Sequence, residues 1–345
     1  FGLPTYREKD GIFSYHFFRL LQRAQNIFLL YNTENDAFGN GEKSRFIKQL
    51  ALLRTDIQYK SISPQVIAPN RTLLEITKHP QVLEKLREFA NSGISPSAIG
   101  NYLYNPIEFY KQRVLGVKEI EKVEETVAAN TMGTIVHDTL DELYTPIQGR
   151  YLSVADLQSM KTKTNTLVTK YFKKHFVNGD FTHGKNRLIF EVAVNYVQRF
   201  LEMEITQLKK GDRIKILATE QRLETQVDIP GIDFPVKLKG TVDRIDQCNG
   251  TTRIIDYKTG LVESRQLKVA DFSTLQDHKF EKAIQVLLYA KLYYSHQKEI
   301  SDGMQAGIYS FRNLKEGFIK INFSQRYRGK DYEIASERLA DATNE

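Results

Sequence analysis

Apolar and polar positions follow two different periods along this chain. Between about residues 94 and 210 the apolar positions recur at helical spacing, whereas from Ile214 onward they alternate with a period of two. Helices are therefore predicted at residues 95–114, 133–143, 153–176, 187–210 and 280–296. Three successive strands are predicted between residues 214 and 260, with turns at Pro230-Gly231 and Asn249-Gly250, and two closing strands at 305–311 and 317–323. This order predicts an α/β domain with one central mixed sheet flanked by helices.

The first 93 residues give weaker signals of both kinds. Helical spacing predicts helices at residues 15–24, 44–53 and 79–91, and the apolar run at 26–31 predicts a buried strand. Residues 32–42 are rich in Asn, Asp and Gly and predict a loop, while Pro64 and Pro69 mark residues 61–72 as a crossing or linker. We therefore expect three parts: residues 1–60, a linker and helix at 61–93, and a domain at 94–345.

Composition narrows the class of protein. The 345 residues are 41% hydrophobic and 26% charged, which is typical of a folded protein of about two domains. No apolar run reaches the roughly 18 residues of a membrane span, and no secretory signal opens the chain, so a cytoplasmic location without membrane contact is expected. Cys248 is the single cysteine, which excludes an internal disulfide, a four-thiolate zinc site and a cysteine-held iron–sulfur cluster. Because residue 1 is Phe rather than Met, we expect a longer parent chain.

The net charge of +7 is concentrated in one region. Residues 150–215 hold 13 basic and 6 acidic residues, so the rest of the chain is neutral overall. A basic stretch in a balanced protein suggests a polyanionic partner, nucleic acid first, although a solvated helix face explains the charge equally well. Aromatic residues at helical spacing lie among these charges, and most are expected in the core. They are Tyr171, Phe172, Phe176, Tyr196 and Phe200.

Two carboxylates and a lysine stand out in the predicted strands. Alternation puts Asp256 and Lys258 on one face of a strand, and Asp243 lies on the strand before it. Buried charges are costly without partners, and Mg²⁺ held by two carboxylates, a backbone carbonyl and waters would satisfy them. Beside such a cation, Lys258 can orient an attacking water and offset charge on a scissile phosphate. A structural Asp–Lys ion pair at a strand end is the simpler alternative for the triplet alone.

Four short motifs occur in order across about 160 residues, and together they resemble the PD-(D/E)XK nuclease superfamily. The likeness is greatest to the RecB- and AddB-type nuclease domains of bacterial helicase–nucleases, and it implies a restriction-endonuclease-like core. The motifs are G-x-x-x-H at residues 133–137, G-x-x-D-R-I-D at 240–246, D-Y-K-T at 256–259 and Q-x-x-x-Y-A at 285–290. Residues 95–116 resemble the entry segment of those domains. Residues 20–46 resemble the end of a helicase lobe, which implies an N-terminal α/β remnant of that lobe.

The resemblance implies roles for the matching residues. His137, Asp243 and Asp256 would bind the metal, Mg²⁺ or alternatively Mn²⁺, together with the Tyr257 carbonyl, and Lys258 would be the catalytic lysine. Gln285 and Tyr289, one turn apart on a helix, would reach the same site. Glu220, on the first predicted strand, is a further candidate metal ligand. Arg244 and Asp246 face away from Asp243 and are expected to form a structural pair.

One position departs from the family pattern. Relatives with an iron–sulfur cluster have a cysteine in the entry segment where this chain has Asn105, so no cluster is expected. The resemblance implies a Mg²⁺-dependent, exonuclease-type DNase that leaves 5′-phosphate and 3′-hydroxyl ends. It would process double-strand ends for recombinational repair, together with the helicase portion of the same protein and a partner helicase–nuclease subunit. The alternative is a catalytically inactive module on the same scaffold that binds DNA or a helicase partner.

Overall fold

The computed structural model describes residues 5–32, 43–62, 75–117, 124–177, 179–297, 303–327 and 330–333, with side chains up to residue 323. The chain divides into two compact units, residues 2–73 and residues 74–345. The helices of the described part are α1 (Tyr6–Leu21), α2 (Arg45–Leu53), α3 (Pro80–Ser92), α4 (Pro96–Tyr104), α5 (Pro106–Phe109), α6 (Ala129–Tyr144), α7 (Val154–His175), α8 (Gly184–Lys209) and α9 (Glu281–Tyr294). The strands are β1 (Ile214–Val227), β2 (Val236–Cys248), β3 (Thr251–Lys258), β4 (Lys268–Val269), β5 (Met304–Ser310), β6 (Phe318–Lys320), β7 (Asn322–Tyr327) and β8 (Lys330–Glu333).

The smaller unit contains α1 and α2. Helix α1 begins nine residues earlier than predicted because Thr5 and Glu8 form a reciprocal capping box at its start. The predicted strand at residues 26–31 is wrong: these residues form neither helix nor strand, and Phe28 and Leu30 are more than four-fifths exposed. A strand needs a neighbour for its backbone hydrogen bonds, and the described residues of this unit contain no other extended segment that pairs with it. Most of the predicted loop and linker lies outside the described residues.

The larger unit is built on a five-stranded sheet with the order β1-β2-β3-β5-β6. The pair β3–β5 is parallel and the other neighbouring pairs are antiparallel, so the predicted mixed central sheet is confirmed. A second, three-stranded sheet, β4-β7-β8, was not predicted. Its strand β7 contains Phe323, which was predicted to lie in the last strand of the central sheet.

Helices cover both faces of the central sheet and create two cores. Helices α6, α7 and α8 pack on one face, around Ile255, Tyr257 and Tyr309. Helix α9 packs on the other face, against Ile254 and Ile308. Because neighbouring residues of β3 point to opposite faces, Asp256 and Lys258 lie on the α9 face while Tyr257 lies on the face of α6–α8.

The segment that enters this unit is broken by proline. The predicted helix at residues 95–114 divides at Asn105 into α4 and α5, because Pro106 cannot continue the first helix. The Asn105 side chain then caps α5, accepting hydrogen bonds from the backbone N–H groups of Ile107 and Glu108, both at 3.1 Å. A π-helical turn, Tyr110–Val114, follows. Within the described ranges, no helix combines the length and the apolar character needed to cross a bilayer.

Candidate active site

The β2–β3 hairpin brings the two aspartates together. Asn249 and Gly250 both have positive φ angles, 52° and 93°, as a tight two-residue hairpin turn requires. Strand pairing runs up to Arg244 opposite Ile255, and beyond it the Asp243 carboxylate, rather than a backbone carbonyl, accepts the Tyr257 N–H at 2.6 Å. The side chain of Asp243 therefore takes the place of a backbone partner where the two strands part.

Helix α6 brings His137 to the same point. Its Nε2 lies 3.0 Å from the Tyr257 carbonyl oxygen and its Nδ1 lies 3.4 Å from Asp243 Oδ1. Burial lowers the pKa of His137, but attraction to Asp243 outweighs that effect and raises the pKa to about 9. Without a metal, the imidazolium therefore bridges two oxygens that the family resemblance assigns to the cation.

Glu220 of β1 lies close to His137 and Asp243 and has an unusual backbone conformation. Its φ of 45° is in the left-handed region, which non-glycine residues seldom adopt. Donor atoms of His137, Glu220 and Asp243 lie within 4.8 Å of one another. Burial, followed by repulsion from Asp243, raises the pKa of Glu220 to about 7. Such crowding of carboxylates is unfavourable without a cation and suits one that binds between them.

Asp256 and Lys258 form a close pair at the end of β3. Lys258 Nζ lies 3.1 Å from Asp256 Oδ1 and 2.8 Å from Oδ2, but Oδ2 is buried and receives no well-directed hydrogen bond. Burial raises the pKa of Asp256 to about 6. Burial also lowers the pKa of Lys258, but the attraction of Asp256 exceeds this effect and the net shift is upward. Asp256 therefore has a buried oxygen that can accept a further hydrogen bond or bind a cation, and Lys258 carries a positive charge.

Helix α9 supports the pair from the other side. Gln285 Nε2 donates to Asp256 Oδ1 at 2.9 Å and lies 3.0 Å from the Tyr289 hydroxyl. The helix can approach because residue 240 of β2 is glycine: a Cβ atom there would lie 2.8 Å from Cε1 of the Tyr289 ring. The residues that the sequence predicted for the site therefore come together at one end of the sheet, where α9 and α6 approach it.

These residues suit a divalent cation. The imidazole of His137 and the carboxylates of Glu220 and Asp243 offer three donors in reach of one another. The unsatisfied Oδ2 of Asp256 provides a further carboxylate oxygen nearby. Oxygen-rich donor sets of this kind favour hard ions such as Mg²⁺ and Mn²⁺.

One predicted ion pair near the site is larger than the sequence alone indicated. The pair of Arg244 and Asp246 is present, with Nη2 and Oδ2 2.6 Å apart, but Glu204 and Arg253 also join it, which was not predicted.

In the basic stretch, residues 150–215, the side chains of Phe172, Phe176 and Phe200 are buried, as expected. Several of its cations are paired with acids, which is typical of a solvated helix face. These pairs are Lys161–Glu202, Lys170–Glu142, Lys174–Asp138 and Arg187–Glu191.

The larger unit thus combines a mixed sheet flanked by helices with two aspartates and a lysine at one end of that sheet. Residues 93–343 match the PD-(D/E)XK nuclease superfamily, and the chain belongs to this superfamily.

Curated relatives include one component of a helicase–nuclease. The chain is 30% identical over 179 residues to an ATP-dependent helicase/deoxyribonuclease subunit of Clostridium perfringens, covering 48% of this chain and 15% of that protein. It is 23% identical over 176 residues to an uncharacterized protein of Rickettsia conorii, covering 50% of this chain and 20% of that protein. An uncharacterized protein of Rickettsia typhi is 21% identical over 254 residues, or 72% of this chain and 28% of that protein. The chain thus spans less than a third of the length of these relatives.

Proposed function

We propose that this chain is a divalent-metal-dependent deoxyribonuclease that hydrolyses phosphodiester bonds from DNA ends, with Mg²⁺ as its ion and Mn²⁺ as a substitute. The observation that supports this proposal is the convergence of His137, Asp243, Asp256 and Lys258 at one end of the sheet. The Asp256 oxygen that lies 2.8 Å from Lys258 Nζ is buried and receives no well-directed hydrogen bond, which leaves it able to bind a cation as well.

The metal ligands in this proposal are His137, Asp243, Asp256 and the Tyr257 carbonyl, with Glu220 as a further candidate. A divalent cation bound there supplies charge neutralisation at the phosphate and activation of the attacking water. Asp243 also holds the Tyr257 N–H, which fixes the Tyr257 peptide and therefore the direction of its carbonyl. His137 gives up a proton when it becomes a ligand.

Lys258 acts in this proposal as a fixed positive charge. Its raised pKa makes it a hydrogen-bond donor rather than a base at neutral pH. From its place beside Asp256 it orients the water and stabilises charge that develops on the phosphate oxygens. Gln285 restrains Asp256, and Tyr289 positions Gln285 through its hydroxyl. With these contacts, the lysine and the carboxylate are held before substrate binds.

We further propose that the nuclease works as part of an ATP-dependent helicase–nuclease that processes double-strand ends for recombinational repair in the cytoplasm. The likeness to the clostridial helicase/deoxyribonuclease supports this assignment. Residues 1–60 would be the end of a helicase lobe, residues 61–93 a connection, and residues 94–345 the nuclease domain. The smaller unit exposes large apolar side chains, which fits a surface covered by the helicase portion or by a partner subunit. They include Leu20, Phe28 and Leu52, all at least 77% exposed.

Cleavage of end-labelled DNA tests the proposal. Single-stranded and duplex substrates are incubated with the protein in Mg²⁺, in Mn²⁺ or in EDTA, and product ends are mapped by their mobility before and after phosphatase treatment. Metal-dependent cutting with 5′-phosphate and 3′-hydroxyl products is expected. DNA binding without cutting, by this chain and by the longer helicase-containing protein, would favour the inactive binding module instead.

A further inference from the structure

A buried group of charges lies on the sheet face opposite Asp256 and Lys258. We call it the buried ion network; it consists of Glu204, Arg244, Asp246 and Arg253. Glu204 and Asp246 are 0% exposed and Arg244 is 1% exposed. Two guanidinium groups and two carboxylates balance in charge, and attraction to the carboxylates outweighs the burial of Arg244 and raises its pKa well above the ordinary value. Arg244 is therefore a permanent positive charge inside the core.

The contacts of the network connect three elements. Arg244 of β2 places Nη1 2.8 Å from Glu204 Oε1 of α8 and Nη2 2.6 Å from Asp246 Oδ2. Arg253 of β3, directly opposite Asp246 in the strand register, makes a two-pronged contact with its carboxylate at 2.7 and 2.8 Å. The planar fork of Arg253 fixes both distance and direction. The contacts of Arg244 with Glu204 and Asp246 are close ion pairs, and its Nε and Nη2 find no well-directed acceptor.

Tyrosine hydroxyls extend the network to further elements. The Tyr144 hydroxyl of α6 donates to Glu204, and the Arg244 guanidinium stacks 4.7 Å from the Tyr144 ring centre. The Tyr257 hydroxyl lies 3.5 Å from Arg244 Nη1. The Tyr309 hydroxyl of β5 accepts from Arg253 at 3.3 Å. Helices α6 and α8 and strands β2, β3 and β5 therefore meet in one polar cluster.

Helix α6 and strands β2 and β3 each carry both a candidate metal ligand and a member of this polar cluster. Arg244 directly follows Asp243, and Tyr257 lies between Asp256 and Lys258. Tyr144 follows His137 on α6 by seven residues, or about two turns, and therefore lies on a similar side of the helix. A movement of any of these elements that displaced a ligand would also disturb the cluster.

A buried ion network is weak evidence for added stability. The desolvation of buried ion pairs is so costly that apolar replacements of similar volume often leave stability unchanged or raise it. What the contacts of Tyr144, Glu204 and Arg244 supply is selectivity, because they are made in one position of α6 and α8 against β2. A shift of α6 that broke these contacts would also move His137 away from Asp243.

We propose that the buried ion network is a positioning device for the metal site: through Tyr144, Glu204 and Arg244 it sets the position of α6 and α8 against β2, and so brings His137 to Asp243. This inference rests on the proposed metal-dependent function. The residues of the network touch neither metal nor substrate and act through the backbone of the elements that carry the ligands.

The test is a triple variant, Tyr144→Phe with Glu204→Leu and Arg244→Met. It removes one carboxylate, one guanidinium and the hydroxyl that would lose its acceptor, while Asp246 keeps its two-pronged contact with Arg253. The matched control is Lys161→Met with Glu202→Leu, which removes an exposed ion pair between α7 and α8. Circular dichroism, thermal unfolding and Mn²⁺ binding by isothermal titration calorimetry are measured for both variants and for the wild type.

The triple variant is expected to fold with a thermal midpoint close to that of the wild type, yet to bind Mn²⁺ at least about tenfold more weakly, as removal of outer partners of metal ligands commonly does. The control is expected to bind like the wild type. A folded triple variant with wild-type Mn²⁺ affinity would overturn the inference and leave the proposed function intact. A wild-type protein that binds no Mn²⁺ would contradict the proposed function, and this inference would fall with it.

A milder change covers the case in which the triple variant does not fold. Arg244→Lys keeps the positive charge, but an ammonium lacks the fork that spans Glu204 and Asp246. We expect Arg244→Lys to remain folded and to bind Mn²⁺ several-fold more weakly. Mn²⁺ binding by Arg244→Lys at wild-type affinity would refute the positioning role.

Discussion

The close approach of the Tyr289 ring to Gly240 allows the effect of Gly240→Ala on stability to be estimated. In Gly240→Ala, the new Cβ would lie 2.8 Å from Cε1 of the Tyr289 ring, whereas carbon atoms pack comfortably at about 3.5–4.0 Å. The ring would have to retreat by roughly 0.8 Å, and Tyr289 is only 8% exposed. Overpacking of this kind costs about 1–3 kcal/mol of stability.

The same displacement reaches the candidate site. The Tyr289 hydroxyl lies 3.0 Å from Gln285 Nε2, so a shift of about 0.8 Å is enough to break this hydrogen bond. Gln285 would then hold Asp256 less firmly. Because a misplacement of about 1 Å can lower a catalysed rate by about a hundredfold, we expect Gly240→Ala to lose between about ten- and a hundredfold in DNA cleavage.

A double-mutant cycle with Tyr289→Leu separates this contact from a general loss of stability. Urea unfolding is measured for Gly240→Ala, for Tyr289→Leu and for the two changes together. Since the smaller leucine leaves space for the new methyl group, the double variant should be more stable than the sum of the single effects predicts, by about 0.5–3 kcal/mol. Effects that add to within about 0.5 kcal/mol would show that the new methyl group and the Tyr289 ring do not clash.

Three further outcomes are expected. Asn105→Ala should lower the free energy of unfolding of the larger unit by about 1 kcal/mol in urea, whereas Asn105→Ser should stay close to the wild type because Ser can still cap α5. Equal stability of the two variants would contradict the capping role. Glu220→Gln should weaken Mn²⁺ binding by about tenfold in calorimetry if Glu220 is a ligand, and unchanged affinity would remove it from the site. If His137 is a metal ligand, binding must displace a proton from it, and the pKa of His137 is raised to about 9. Mn²⁺ affinity should then rise by up to about tenfold per pH unit between pH 7 and 9, and an affinity independent of pH would exclude His137 as a ligand.

The hairpin shows how much of the site could be predicted from the sequence. With a two-residue turn at Asn249-Gly250, antiparallel pairing places Asp246 opposite Arg253, as observed, and continues toward Asp243 and Asp256. Local rules of turn and alternation therefore predict the approach of the two aspartates. The helical spacing of Gln285 and Tyr289 likewise predicts their common face.

Other parts depend on tertiary packing and have no local signal. Glu204 is one acidic residue on a long helix, and only the packing of α8 on the sheet brings it to Arg244. The left-handed backbone of Glu220 has no glycine or asparagine to indicate it. The wrong strand at residues 26–31 has a related cause, since an apolar run specifies hydrophobicity but not a pairing partner.

The most direct test of the central claim is the rate of DNA cleavage by Lys258→Ala. Single-turnover cleavage of end-labelled DNA in Mn²⁺ is compared for wild type, Lys258→Ala and Lys163→Ala, which removes an exposed lysine of α7, with DNA binding measured for all three. We predict that Lys258→Ala loses at least about a hundredfold in rate while binding DNA like the wild type, and that Lys163→Ala cleaves normally. Equal cleavage rates for Lys258→Ala and wild type would contradict the proposed role of Lys258.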